Sequence, residues 1–299
     1  MQRLVYIFVY PFIYLLASIP FGLLYPVSDF FRFFIYNFLG YRKSIVRQNI
    51  KLAFKGISNK KLRQIEKKFY THFCDITLEA LKSLKMSEKE MKERFVFKNI
   101  EVLKQFEEKK KSIIVIMGHY SSWEWMLSLG YYMSFKGYGI YTPLMNKYLN
   151  ELVQKIRKKH HGYLISRYSA IETMKKKDKE GELAFYGFAS DQSPRPKPNI
   201  YWRNFLGVKV PVFMGAELIA RELNFAIVYA RVNRIRRGYY EAEFELLTEN
   251  PRKTKEYEIT DIFTSWLEKD IYNDPTQYLW THNRFKHRHK IHKKIKKIL

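Results

Sequence analysis

The chain is 299 residues long and 46% hydrophobic, with 54 Lys and Arg against 29 Asp and Glu for a formal net charge of +25. That length and apolar share suit one large domain with an appended terminus, and a charge far beyond what solubility requires predicts a polyanionic partner: anionic lipid, an acidic protein or nucleic acid. The single cysteine, Cys74, excludes an internal disulfide and any multi-cysteine metal site, and it places most of the chain on a reducing side.

Between Arg3 and Asp29 no residue is charged, and the stretch reaches the roughly 20 residues that span a bilayer. It is too long and too rich in tyrosine for a cleaved signal peptide, so residues 1–28 are expected to be a membrane anchor. Pro11, Pro20 and Pro26 each remove a backbone donor, which leaves a kinked or re-entrant hairpin open beside a straight crossing. The segment "DFFRFFIYNFLGYRKSIVRQNIKLAF" keeps the aromatic bulk and adds Arg32, Arg42, Lys43, Arg47 and Lys51, as a helix on an anionic headgroup layer would. A core helix with solvated basic residues has the same pattern. The positive-inside tendency places the rest of the chain in the cytoplasm.

From Ser58 to Lys92 apolar residues recur at helical spacing, with Leu62, Ile65, Phe69 and Phe73 on one face and Ser58 and Ser87 as caps. Cys74 lies in this stretch and reads as a small buried helix residue rather than a nucleophile. Short apolar runs occur at 113–117, 138–141, 183–188 and 226–232, with an alternating run at 239–246. Helical stretches at 123–132, 148–160, 170–177 and 215–223 lie between them. This alternation predicts an α/β fold with a mostly parallel sheet flanked by helices, whose ligands bind at the carboxyl ends of the strands. A helix is expected at 259–272, and from Arg284 on there are eight Lys or Arg and no acid, which reads as a basic arm or a membrane-surface helix. The eight histidines show no metal-ligand spacing beyond those clustered in the tail, which read as part of the basic arm.

In "IIVIMGHYSSWEW" an apolar strand ends at Met117 and Gly118, His119 and Tyr120 form the turn before a helix. Five residues apart, His119 and Glu124 would lie on different faces of one helix. If His119 precedes the helix, Glu124 can reach its Nδ1 proton and leave Nε2 as a general base. The same spacing, Ser121-x-x-Glu124, is also a capping box. In "LAFYGFASDQSPRPKPN" a second carboxylate, Asp191, reaches a strand mouth, where it serves either a site or its own loop. Arg157 and Arg167 are either solvated or a clamp for a phosphate or oxyanion.

"GHYSSWEW" resembles the His-x4-Asp/Glu motif of the lysophospholipid acyltransferase superfamily. Together with "ASDQSPRP", "YWRNFLGVKVPVFMGAELIAREL" and "QYLWTHNRFKHR", in the same order, the chain resembles the late (lauroyl/myristoyl) acyltransferases of lipid A biosynthesis over nearly its whole length. The resemblance implies a glycerol-3-phosphate acyltransferase-like fold behind the anchor, with residues 29–299 as the acyltransferase domain and a basic tail from about 284. It implies an enzyme of the bacterial inner membrane, acting at the cytoplasmic face, that moves an acyl chain from acyl carrier protein to a hydroxyl of a lipid A precursor.

On that resemblance His119 and Glu124 are the catalytic base and its partner, Arg157 and Asp191 match site residues of the family, and Arg284 with Lys286 matches a basic ending that serves structure or anionic substrate binding; Arg157, Asp191 and Arg284, together with the candidate clamp Arg167, are placed at the substrate. No metal or cofactor is required, the acyl donor, carried on acyl carrier protein or on coenzyme A, being a substrate. The partners are acyl carrier protein, an anionic lipid acceptor and the membrane, with no nucleic acid. Ser121 and Ser122 replace a common Gly-Asn pair, and Asn283 stands where a second arginine is common. The open alternatives are transfer to another membrane acceptor, such as a lysophospholipid, glycolipid or aminolipid, or a non-catalytic basic binding protein.

Overall fold

A computed structural model describes residues 2–196, 198 and 200–290. The N-terminal stretch that reads as one apolar run is broken at Ile19–Pro20 into α1 (Gln2–Ser18) and α2 (Phe21–Phe34), which runs on into a π-helical turn, Ile35–Leu39. Among the described residues no helix is long and apolar enough to cross a membrane. Residue 28 lies inside α2, where the Ser28 hydroxyl donates to Asp75 and Asp29 pairs with Arg237.

Next come α3 (Lys43–Ala53), α4 (Asn59–Lys82) and α5 (Glu88–Arg94). Ser58 caps α4 by accepting from the Lys61 amide at 3.3 Å, and Ser87 forms a full capping box with Glu90, so both caps lie where their side-chain chemistry put them. Leu62, Ile65 and Phe69 are buried, Phe73 partly so, and Cys74 is buried with its thiol pushed by burial up to about 12.

The remaining elements are β1 (Phe95–Phe97), α6 (Glu101–Glu108), β2 (Ile113–Met117), a 3-10 helix (Trp123–Tyr131), β3 (Lys136–Tyr141), α7 (Lys147–Lys158), β4 (Gly162–Ser166), α8 (Ala170–Lys179), β5 (Ala184–Ala189), β6 (Trp202–Phe205), β7 (Val208–Pro211), α9 (Gly215–Leu223), β8 (Ala226–Arg236), β9 (Tyr239–Thr248) and α10 (Glu258–Asn273). Seven strands form one sheet in the order β1-β9-β8-β2-β5-β3-β4, parallel throughout except for the β8–β9 pair. β6 and β7 form a separate antiparallel hairpin.

The uniformly apolar β2 fits its central place, because a parallel strand covered on both faces needs apolar side chains on both. Ile114 and Ile116 point into one core cluster, with Phe263 and Leu267 of α10, while Ile113, Val115 and Met117 point into the other, with Trp125. β1, β4 and the β6–β7 hairpin have no counterpart in the sequence reading. They are short, and only their neighbours cover them.

Candidate active site

His119 and Asp191 each stand two residues beyond the end of a strand. β2 and β5 are parallel neighbours with Met117 paired to Ala189, so equal steps past their ends bring the two residues side by side. The Ser190 amide continues the ladder to the Met117 carbonyl at 3.1 Å. Asp191 Oδ1 then accepts the His119 backbone N–H at 3.0 Å and lies 2.6 Å from the ring Nδ1. Nδ1 therefore carries its proton toward the carboxylate, and Nε2 presents a lone pair to the cavity, where the Gln192 side-chain amide lies 3.2 Å away. Burial disfavours the imidazolium, but the charge and hydrogen bond of Asp191, with help from Glu124, outweigh it and hold the His119 pKa above its ordinary value. Asp191 is held below the usual carboxylate range: against its burial stand His119 and the buried Arg284.

The expected His119–Glu124 bracing is corrected by this geometry. Glu124 makes its hydrogen bonds to Arg157 in a two-pronged pair, Nε to Oε2 at 2.9 Å and Nη2 to Oε1 at 2.5 Å. Both side chains line the cavity beside His119, so Glu124 acts on the imidazole through space only. The capping-box alternative is also set aside. Ser122 makes no side-chain cap, and among the described residues the buried Ser121 hydroxyl, on a residue at φ +55°, has no hydrogen-bond partner. The turn thus takes its left-handed residue at Ser121, and Gly118 serves packing instead: a Cβ there would lie 2.5 Å from Leu267 Cδ1.

Arg167 lies on the cavity wall, with its guanidinium against the rings of Tyr168 and Phe213, and makes no ion pair among the described residues. Arg284 does not reach the cavity. It is 2% exposed, donates to the Pro211 carbonyl at 3.0 Å and lies over the Phe205 ring. Its place at the substrate is therefore corrected to support from behind Asp191. Phe285 is fully buried too, so the basic arm does not begin at 284; residues 291–299 of that arm lie outside the described residues.

Neither Gln192 nor the strap from Gln277 to His282 was given a role at the site by the sequence. The strap laces both catalytic turns: the Gln277 carbonyl accepts from the Ser121 amide at 3.0 Å, Leu279 N–H donates to the His119 carbonyl at 3.1 Å, and His282 Nε2 accepts from the Ser193 amide at 3.0 Å. Burial, with the charges of Lys286 and Arg284, overcomes the pull of Asp191 and takes the His282 pKa down to about 4, which keeps that acceptor neutral. The only local signal was the "QYLWTHNRF" block itself.

The cavity has a volume of about 480 Å³, within the usual range of small-molecule sites. Its floor is the sheet. Val115, Gly187, Gly139 and Leu164 are register partners across β2, β5, β3 and β4, and all four line it. Met126, Leu127 and Leu129 of the 3-10 helix line it as well. Away from His119 the Phe185 ring lies over Gly137, occupying the place a Cβ would take there. From Ala189 back to Phe185 is about 13 Å at ~3.3 Å per residue. The arrangement sets Nε2 of His119, with its lone pair, at one end of a mostly apolar cavity. Among the described residues no group of three or more His, Cys, Asp or Glu is placed to hold a metal ion.

Residues 1–287 match the family described as bacterial lipid A biosynthesis acyltransferase. The chain is also similar to the lipid A biosynthesis lauroyltransferase of Escherichia coli (strain K12), 22% identical over 283 residues that cover 92% of this chain and 89% of the relative. With a match over nearly its whole length, the chain belongs to the bacterial lipid A biosynthesis acyltransferase family and is an acyltransferase.

Proposed function

We propose that the protein moves a fatty acyl chain from the thioester of acyl carrier protein to a hydroxyl of a lipid A precursor, at the cytoplasmic face of a bacterial inner membrane. Nε2 of His119 takes the proton of the acceptor hydroxyl, and that oxygen attacks the thioester carbonyl directly. Asp191 holds the ring and stabilises the imidazolium that forms. The tetrahedral intermediate collapses to the ester, the thiolate leaves, and the proton on Nε2 passes to it. Arg157, held in place by Glu124, is the donor best placed on the cavity wall to offset charge on the oxyanion, and Arg167 faces the anionic part of a substrate. The apolar slot takes the acyl tail. The basic surface suits both an acidic carrier protein and a phosphorylated lipid.

The observation that carries this reading is the contact between His119 Nδ1 and Asp191, with Nε2 turned to a cavity floored by Gly139 and Gly187. The test is incubation of the purified full chain with labelled acyl-acyl carrier protein and a panel of acceptors, with products identified by mass spectrometry. Ester on the lipid A precursor is expected. Product on a lysophospholipid, glycolipid or aminolipid with none on the precursor overturns the choice of acceptor. Transfer by His119→Ala at the wild-type rate overturns the mechanism.

A further inference from the structure

The N-terminal helices are seated on the catalytic domain along their length. Tyr6, near the start of α1, stacks on Tyr148 of α7 with ring centroids 5.5 Å apart. Further along, Tyr14 meets Lys85, which lies 3.9 Å over its ring. At the end of the helix Ala17 is fully buried, and its carbonyl accepts from Lys82 Nζ at 3.0 Å. α2 is fastened just as closely: the Ser28 hydroxyl donates to Asp75 at 2.6 Å, and Asp29 pairs with Arg237 at 2.9 Å. Phe12 of α1 touches Phe31 of α2, centroids 6.4 Å apart, so the two helices fold back on each other as a hairpin.

The outer face of this hairpin is apolar. Phe8 is 77% exposed, and Leu15, Leu23, Phe30 and Phe38 are each more than 60% exposed. Phe8 and Leu15 are seven residues apart on α1, and Leu23 and Phe30 are seven apart on α2, so each helix carries one outward stripe. Apolar exposure concentrated in this way on two successive helices marks an interaction surface. Exposed basic residues come directly after it, Arg42, Arg47 and Lys51, in a chain of net charge +25.

We propose that residues 2–39 form an in-plane docking platform that sinks its outer face into one leaflet of an anionic bilayer, leaving the N-terminus on the same side as the catalytic domain. The domain itself rules against a crossing. A helix lying along α4 and α7 cannot cross the hydrocarbon without taking them with it, and Lys82, Lys85, Lys155 and Arg157 on or beside those helices would then need to be desolvated in lipid. A flat amphipathic seat leaves them in water and matches aromatic side chains to headgroup depth. This inference rests on the membrane location proposed above and adds how the membrane is held.

The test uses the full chain with one epitope at each end, expressed in bacteria, and sealed inverted inner-membrane vesicles treated with protease. Both epitopes are expected to disappear together while a marker inside the vesicles stays intact. An N-terminal epitope protected until detergent is added overturns the in-plane platform but leaves the membrane location standing, whereas a protein absent from the vesicles overturns both. In a second measurement the Phe8→Glu/Phe38→Glu variant, checked for an unchanged melting temperature, is sedimented with vesicles of phosphatidylcholine and phosphatidylglycerol. At least about tenfold weaker partitioning is expected from loss of two buried rings, and partitioning equal to wild type overturns the proposal.

Discussion

Nδ1 of His119 lies 2.6 Å from Oδ1 of Asp191, a residue 72 positions further along the chain. Glu124, only five residues away, binds Arg157 instead. The parallel register of β2 and β5 makes this so, since it carries both strand mouths to one point. Asp191→Asn keeps the shape and removes the charge. Activity is expected to fall by about 10²–10⁴, the usual worth of an effective general base, when single-turnover acyl transfer is measured.

The same pair sets the pH dependence. A general base works only when neutral, and the His119 pKa is raised, so the rate should climb with pH through a midpoint above the ordinary ~6.5. Because the Asp191 charge is the chief raising influence, the residual activity of Asp191→Asn should show a midpoint lower than wild type. A profile that does not move assigns the midpoint to another group.

Glu124 and Arg157 should behave as one unit. Loss of a charge-assisted hydrogen bond costs about 1.5–3 kcal/mol, so Glu124→Ala and Arg157→Ala are each expected to slow transfer about ten- to a hundredfold. The double variant should be little worse than the poorer single one, as coupled neighbours are. Glu124→Gln should move the pH midpoint less than Asp191→Asn does; an equal shift would restore Glu124 as the brace of His119.

The deep end of the slot should govern chain length. Phe185→Ala removes the ring lying over Gly137 and is expected to shift preference toward longer acyl chains. At Gly187 a Cβ meets nothing nearer than Met117 Cε at 3.8 Å, so Gly187→Val fits the backbone, intrudes on the slot and should favour shorter ones. Competition between acyl donors of different length reads both changes.

Two buried positions test packing. Gly118→Ala forces a methyl against Leu267, and overpacking of this kind costs about 1–3 kcal/mol. Pairing it with Leu267→Ala should return part of that loss in urea unfolding, beyond the sum of the single changes. Arg284→Ala removes the buried guanidinium that donates to the Pro211 carbonyl and lies over Phe205, and should lower stability by about 1–3 kcal/mol, with KM for the acceptor unchanged in the activity that remains. A raised KM at full stability would instead place Arg284 at the substrate.

Much of the local structure was legible. Ser58 and Ser87 cap helices because short hydroxyl side chains reach amides three residues on, and the all-apolar run at 113–117 is the strand that both core layers cover. α9 begins and ends where its spacing predicted. The segment 123–132 keeps its place and tightens to a 3-10 helix. β1 was missed because it is only three residues long, and β4 because it runs from a glycine to a serine with Tyr163 exposed and so shows no continuous apolar run.

The sequence by itself determined that a histidine would stand at the mouth of a central strand, that a carboxylate would emerge from another strand mouth, and that the first forty residues would be apolar and aromatic. Those are properties of side-chain type and of period along the chain. Only the tertiary structure decided which carboxylate meets the histidine, because sheet order and register depend on how distant strands pair. It alone turned the apolar N-terminus into a hairpin lying on the domain, since the face that a helix buries is chosen by what it packs against. It also put Arg284, which composition assigned to the surface, inside the protein, where a hydrogen bond to the Pro211 carbonyl and the charge of Asp191 offset the cost of burying it.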